Sequence, residues 1–493
     1  MPIPLLVITS ARGRSALIGL GLLGLAACHR GATAGVAGST RAAGTSASVA
    51  TAAACVVPAA SPVASLANAP VKDPLVTFDT AWAIIARTHW DTTYNGVNWR
   101  ALRDTLRPRA AAAQTTGELR HVLSDMLGRL KQSHFSIIPR EVSDATSGGA
   151  GNSGGPLADQ NGTTGATLRF VDGVMVVTHV PEASAAGRVG VRPGWMLESV
   201  SGCPVARRLE RIPRDMDPRR AAFMAFSLAS QMLAGPVGGS VGAIFRDGNG
   251  RARAVSIIRV SEPGTLAKFG NLPPFPASLS FERVAQGGQS IGIIRFNIWM
   301  PVLSPQFDVA MDSLRDADAI IVDVRGNFGG VGGMSMGIAG HFLDSAQTIG
   351  TMHQRGAALK FVANPRRVDT RSRSVKPFAG PLALLVDELS VSTTEIFAGG
   401  MQALGRARVF GTQTSGQALP SVPERLPNGD ILYHAIADFL SPTGKPLEGD
   451  GVTPDVVTKS TRKALLEGKD PTREAALTWA VQASKLPRKG ISP

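Results

Sequence analysis

Four serines stand where a nucleophile could be built. Ser153, Ser240 and Ser335 each sit in Gly-x-Ser-x-Gly, the signature of a strained strand-to-helix elbow. In a chain with 55 glycines that pattern also arises from composition alone, so the surroundings must decide. Ser153 lies in a loop crowded with Gly, Ser and Asn, and Ser240 lies among short alternating strands; neither has the strand before and helix after that an elbow requires. Ser335 has an apolar strand ahead of it, yet the flexible stretch Arg325 to Gly332 intervenes, and it is kept only as the nucleophile of an alternative esterase reading. Ser392 is better placed. It follows the apolar strand Leu382 to Val386 and opens a helix carrying Ile396, Phe397, Met401 and Leu404, so the positive end of the helix dipole favours an alkoxide and the oxyanion it generates. Ser392 and Glu395 also fit a Ser-x-x-Glu capping box, and the local pattern leaves cap and nucleophile open. The loop Arg325-Gly326-Asn327-Phe328-Gly329-Gly330, after the strand Ala319 to Val324, favours the nucleophile. Consecutive glycines at a strand end can aim bare backbone N–H groups into one cavity, as an oxyanion hole needs.

Other chemistries find little support. None of the eight histidines begins His-Glu-x-x-His, and neither a phosphate-binding Gly-x-x-x-x-Gly-Lys-Ser/Thr loop nor an EF-hand loop occurs, so no metal or cofactor is expected. A formal Gly-x-Gly-x-x-Gly at Gly19 to Gly24 lacks the βαβ unit that would make it a dinucleotide site. Lys and Arg outnumber Asp and Glu by 51 to 37, but the excess is spread along the chain, which reads as a solvated basic surface and not as a nucleic-acid partner. Cys28, Cys55 and Cys203 are too few and scattered for a disulfide scaffold or a cysteine metal site.

The elements that must position these residues come in blocks. Arg12 and Arg14 precede the apolar run Ser15 to Leu25, which is too short to span a bilayer, and Leu25-Ala26-Ala27-Cys28 resembles the bacterial lipobox. The expectation is a signal peptide over 1–27, acylation of Cys28, and a flexible Ala, Gly, Ser and Thr-rich tether over 28–72. His29 after that cysteine leans towards the outer membrane. Cys55 and Cys203 could pair after export or remain free thiols. Phe78, Trp82 and Ile85, then Leu119 to Leu130, recur at helical period, with a Thr115–Glu118 capping box, and predict a helical subdomain over 73–142. Short alternating strands such as Val174 to Val180 and Ala254 to Val260 predict a β-rich module over 165–262. From 285 to 460 apolar strands alternate with helices, an α/β core, followed by a helical tail over 461–493.

Two resemblances sharpen this reading. Gly187 to Leu197, followed by Val200-Ser201-Gly202, resembles the central stretch of a PDZ domain, with Trp195 where that family usually has Asp. Gly165, Ala166, Thr167 and Leu168 then occupy the place of the loop that caps a peptide carboxylate. Asp323 to Gly330, Val386 to Phe397, Gly411 to Gly416 and Gly451-Val452-Thr453-Pro454-Asp455 resemble, in order, the signature blocks of the tail-specific, or carboxy-terminal processing, serine proteases. The resemblance implies an α/β catalytic core of ClpP/crotonase-like fold, with an N-terminal helical subdomain and a β-rich PDZ-like module. It implies a serine endopeptidase acting on polypeptides, and the lipobox-like segment implies a place in the bacterial cell envelope.

By the same resemblance Ser392 is the nucleophile, and the N–H groups of Thr393 and of Gly329 or Gly330 form the oxyanion hole. The processing proteases take a lysine as base after the Thr-x-Gly block, but Gln417 stands there, so a Ser-Lys dyad is absent. The tricorn-core branch uses instead a histidine preceded by serine and a glutamate before the last block. Ser133-His134 and Glu448 match them, with His134 as general base and Glu448 acting through Ser133. Asp323, Arg325 and Asn327 are expected to brace the glycine loop. A catalytically inactive peptide- or lipophile-binding protein of the same fold is the alternative from another class.

Overall fold

The computed structural model describes residues 68–140, 162–267 and 275–486. The signal peptide, Cys28, Cys55, Ser153 and the tether up to residue 67 lie outside them. The last tether residues, 68–72, are not flexible but held: the Val71 N–H donates to the Gln114 carbonyl and the Thr116 N–H to the Ala69 carbonyl, both at 3.0 Å.

Three helices open the described chain: α1 (Pro74–Thr88), α2 (Trp99–Ala111) and α3 (Thr116–Gly128). Their apolar stripes meet in one cluster around Phe78, Ile85, Leu106, Leu119 and Leu123. The capping box read from the sequence starts α3: Glu118 N–H donates to Thr115 Oγ1 at 3.2 Å, and the Glu118 carboxylate receives the Gln114 N–H at 2.7 Å and the Thr115 N–H at 3.4 Å. After α3 the chain turns at His134 (φ +62°) into β1 (Ser136–Ile138).

The β-rich module follows as β2 (Thr167–Val171), β3 (Val174–His179), β4 (Met196–Val200), β5 (Ser240–Arg246) and β6 (Ala252–Ile258), paired in that order. Sequence reading caught its strands and missed α4 (Pro218–Leu233), which packs on β2 and β3. The signals for α4 are present: Asp217 caps the Arg219 N–H at 2.9 Å, proline stands in the first turn, and alanines at 222, 225 and 229 give the buried stripe. Cys203 is disulfide-bonded, which removes the free-thiol alternative; its partner is outside the described residues.

The core is a sheet of β7 (Leu279–Gln286), β8 (Gln289–Phe296), β9 (Ala319–Asp323), β12 (Leu382–Val386), β13 (Arg408–Gly411) and β17 (Val456–Val457), in that spatial order. All its pairs are parallel except β7 with β8. Both faces are covered, which is why β9 and β12 read as unbroken apolar runs. On one face α5 (Ser304–Leu314), α6 (Gly332–Ala339) and α7 (Thr393–Ala403) enclose Ile320, Val322, Leu384 and Trp299. On the other, α8 (Pro471–Ser484) seats Ala476, Leu477 and Ala480 against Ile321 and Leu385.

Two hairpin systems were not resolved by the sequence reading. β10 (Gln347–Gln354), β11 (Ala357–Ala363) and β16 (Asp438–Leu440) form one sheet; β14 (Ser421–Arg425) and β15 (Ile431–Ala435) form another with β1. The β1–β15 register, Ser136 opposite Tyr433, fastens the end of the helical subdomain to the core two residues after His134. Among the described residues no helix is long and apolar enough to cross a membrane.

Candidate active site

Adjacent parallel strands place their following loops side by side. β9 pairs with β12, so the glycine loop after β9 meets the turn Asp387 to Ser392 after β12 at the carboxyl end of the sheet, where open α/β sheets form their sites. Asp387 joins the two by accepting the Gly326 N–H at 2.8 Å. The Val391 N–H donates to the Asn327 carbonyl at 3.1 Å. Fully buried Trp299 fixes the start of α7 from below, donating from Nε1 to Thr394 Oγ1 at 2.8 Å while packing edge-on against Phe296. Burial of a side chain of this size contributes about 2 to 3 kcal/mol to holding the turn in place.

Ser392 itself has φ +58° and ψ −120°. For a residue with a side chain this left-handed backbone costs about 1–3 kcal/mol, and it persists only where surrounding contacts enforce it. It is the strained strand-to-helix turn that the Gly-x-Ser-x-Gly reading sought elsewhere. The Ser392 N–H donates to the Gln417 carbonyl at 2.9 Å and to Glu395 at 3.0 Å. Gly329 (φ +91°) lies against it so closely that a Cβ there would stand 2.7 Å from the Ser392 Cβ, which leaves room for glycine alone.

Gly329 N–H is taken by Asn327 Oδ1 at 3.0 Å. The Gly330 and Thr393 N–H groups carry no hydrogen bond among the described residues, and the Thr393 hydroxyl ties the two residues together by donating to the Gly330 carbonyl at 2.8 Å. Asp323, Arg325 and Asn327 brace the loop as expected. Arg325 donates to Asp323 at 2.9 and 2.8 Å and to Asp470 at 2.9 Å, and Asn327 Nδ2 holds the Phe296 carbonyl at 3.1 Å. Burial pushes the Asp323 carboxyl up, but Arg325 and Arg295 outweigh it and hold the group at about 2.

His134 and Glu448 meet through Ser133. Ser133 Oγ lies 2.6 Å from His134 Nδ1 and donates to Glu448 Oε2 at 2.8 Å; the Ser133 N–H donates to Glu448 Oε1 at 2.8 Å. The Ala418 N–H reaches the same carboxylate at 3.1 Å, so residues 417–418 link the Ser392 backbone on one side to Glu448 on the other. His134 Nε2 is buried and has no hydrogen-bond partner among the described residues. Burial lowers the imidazole to about 4, so the ring is neutral and able to accept a proton. Burial raises Glu448, opposed by the Ser133 and Ala418 hydrogen bonds and the charge of Arg220.

The other predicted residues fall apart from this constellation. Ser335 is fully buried inside α6 and donates to the Gly332 carbonyl at 2.6 Å, an intrahelical bond with no exposed elbow, which removes the esterase alternative. Ser240 lies on β5 bonded to Ser256. In the module, the Gly165 and Ala166 N–H groups are taken by the hydroxyls of Thr163 and Thr164, and Thr167 and Leu168 begin the edge strand β2. Trp195 packs near Phe245, at 6.5 Å between ring centroids.

Sequence reasoning gave Glu395 only a cap. It is fully buried and receives the Thr414 hydroxyl at 2.6 Å and the N–H groups of Gly416 at 2.7 Å, Gln417 at 3.0 Å and Ser392 at 3.0 Å. Burial pushes it up to about 7 against those four donors. Phe223 and Phe226 of α4, both 5.7 Å from Phe328 in the glycine loop, went unseen because α4 did.

Residues 290–458, which carry β8 to β17, the glycine loop and Ser392, match peptidase family S41, and residues 70–128, the three helices, match the tricorn protease C1 domain. The chain is a serine peptidase whose core, residues 290–458, matches family S41. It is 27% identical over 387 residues to carboxyl-terminal-processing peptidase 3, chloroplastic, of Arabidopsis thaliana, an alignment covering 76% of this chain and 67% of the relative. It is 23% identical over 389 residues to the carboxyl-terminal-processing protease of Picosynechococcus, covering 76% and 81%. The fold matches the photosystem II D1 C-terminal processing protease at a TM-score of 0.52 and 19% identity, over 79% of this chain and 94% of that one. It matches mature CPAF at 0.54 and 13%, over 84% and 98%.

Proposed function

We propose that this serine peptidase cleaves polypeptides with Ser392 as nucleophile and His134, in place of a lysine, as general base. The observation that carries this reading is the unpartnered, buried Nε2 of a neutral His134, whose Nδ1 is held by Ser133 and Glu448. Ser392 Oγ attacks the scissile carbonyl carbon as Nε2 takes its proton. The oxyanion receives the N–H groups of Thr393 and Gly330, and imidazolium returns the proton to the departing amine as the C–N bond breaks. Water then adds to the acyl-enzyme by the same route and releases the acid and Ser392. Gln417 has no proton to exchange at neutral pH, and its side chain is engaged with Ser415.

A fluorophosphonate probe tests the assignment directly. Labelling is expected on the peptide containing Ser392, and labelling confined to any other serine overturns it.

The β-rich module acts in this reading as a PDZ-like receptor for substrate carboxyl termini, a peptide strand adding to the free edge of β2 beside α4; the edge position of β2 and the carboxyl-terminal processing relatives support it. Amidating the carboxylate of a long peptide substrate is therefore expected to raise its KM about tenfold, while short chromogenic substrates are unaffected. Equal KM for acid and amide would remove the module from terminus recognition. The lipobox-like segment ending at Cys28 supports export and acylation, with the peptidase held at the envelope, the outer membrane favoured, and facing the periplasm or the exterior.

A further inference from the structure

Two arginines of α4 belong to the β-rich module yet act on the peptidase core. Arg219 donates to three carbonyls there, Thr414 at 3.2 Å, Asp450 at 2.9 Å and Gly449 at 2.7 Å, while Asp217 holds its other edge at 3.1 Å. It thereby clamps the turn that follows Glu448. Arg220, the next residue, places Nη2 3.7 Å from Glu448 Oε1. The serine peptidase scheme derived above makes no use of either side chain.

We infer that Arg220 is a positioning residue for peptide hydrolysis: held over the Glu448 turn by Arg219, it keeps Glu448 anionic, and through Ser133 it keeps His134 oriented as a base. The inference rests on the Ser392–His134 reading. At 3.7 Å the contact is an ion pair and not a hydrogen bond, so it acts through charge more than through direction. Glu448 is surrounded by groups of both signs. Ser133 and His134 approach from the loop after α3, Arg219 and Arg220 from α4, and the Ala418 N–H from the loop after Thr414. Glu395 of α7 reaches the same turn through Gly416, whose carbonyl accepts the Gly449 N–H. Burial opposes ionisation of Glu448, and the Ser133 and Ala418 hydrogen bonds together with the Arg220 charge offset it. When His134 takes the Ser392 proton, an anionic Glu448 stabilises the imidazolium; a protonated one does not.

The sign of the pH effect follows. Removing the cation raises the pH at which Glu448 loses its proton, so in the variant Glu448, in place of the His134 that sets the parent's limb, sets the acid limb of kcat, which moves upward. Arg220 is 36% exposed, which puts the shift at the lower end for a neighbouring charge, about one pH unit.

The test is kcat and KM of the full chain on a short chromogenic peptide between pH 4 and 9, with melting curves, for the parent, Arg220→Gln, Arg220→Lys and Ser392→Ala. Arg220→Gln is expected to lower kcat about tenfold at neutral pH, with KM within about twofold and the acid limb raised by about one unit. Arg220→Lys should restore kcat to within about threefold and return the limb. A limb that stays in place, a change in KM alone, or a lysine variant no better than glutamine would overturn the role, as would a lysine variant slowed tenfold should the glutamine variant fail to fold. An active Ser392→Ala protein would instead refute the underlying assignment, whereas an inactive one beside a wild-type Arg220→Gln refutes only this inference.

Discussion

Ser392→Ala is expected to lower turnover of a peptide substrate by a factor on the order of 10⁴ or more while leaving the fold standing. The size of the loss follows from removing the only atom that can form the acyl bond; the oxyanion donors and the binding surface remain and account for residual rate. The fold persists because what holds this turn does not depend on the Ser392 hydroxyl. The Ser392 N–H bonds to Gln417 and Glu395, the Trp299 bond to Thr394 and the Arg325 bonds to Asp323 and Asp470 involve no Ser392 hydroxyl. Alanine at φ +58° is strained to the same degree as serine, so stability should change by less than about 1 kcal/mol. Steady-state rates beside a thermal melt check both halves. A variant retaining a tenth of parental turnover would show that the nucleophile lies elsewhere.

The strands that position this serine were legible because they are buried on both faces: Leu382 to Val386 appears in the structure with the bounds read from its unbroken apolar run. The Thr115–Glu118 capping box was legible because it is a local contract between neighbours in sequence. The hairpins β10–β11 and β14–β15 were not, although their turn signals are present: Arg355-Gly356 joins β10 to β11 as a two-residue turn, and Asn428-Gly429 stands between β14 and β15. α4 was masked by its setting among strands, where an alanine-rich stripe carries a weak periodic signal.

At the site, residue types were readable but contacts between distant residues were not. Ser133, His134 and Glu448 were singled out by resemblance to a family branch, because no spacing rule connects positions 133 and 448 until β1 pairs with β15. That Asn327 turns its side chain back onto its own loop and occupies the Gly329 N–H was unreadable for the same reason. Glu395 shows the opposite failure. A satisfying local explanation, the cap, concealed a buried carboxylate that gathers the Thr414 to Gln417 loop around Ser392.

His134→Ala is expected to be nearly as damaging as the serine change, by roughly 10³- to 10⁴-fold in kcat, because Gln417 offers no substitute base. The pH profile of the parent gives the sharper check. Only neutral imidazole can take the Ser392 proton, so activity is present above the His134 pKa and lost as pH falls through it. Burial holds that value down to about 4, well below the usual 6.5, and the acid limb of kcat/KM should accordingly lie below the ordinary imidazole range. Stability moves in the same direction. Between 6.5 and about 4 the unfolded chain binds a proton that the folded histidine refuses, so stability is lost as pH falls, and melting curves across the same range must separate unfolding from inhibition. His134→Gln preserves volume beside Tyr433 and the contact with Ser133 while removing the base; it should fold and remain inactive at every pH. Turnover in that variant, or a parental acid limb at 6.5 or above that persists while the protein is folded, would show that His134 as placed here is not the group accepting the proton.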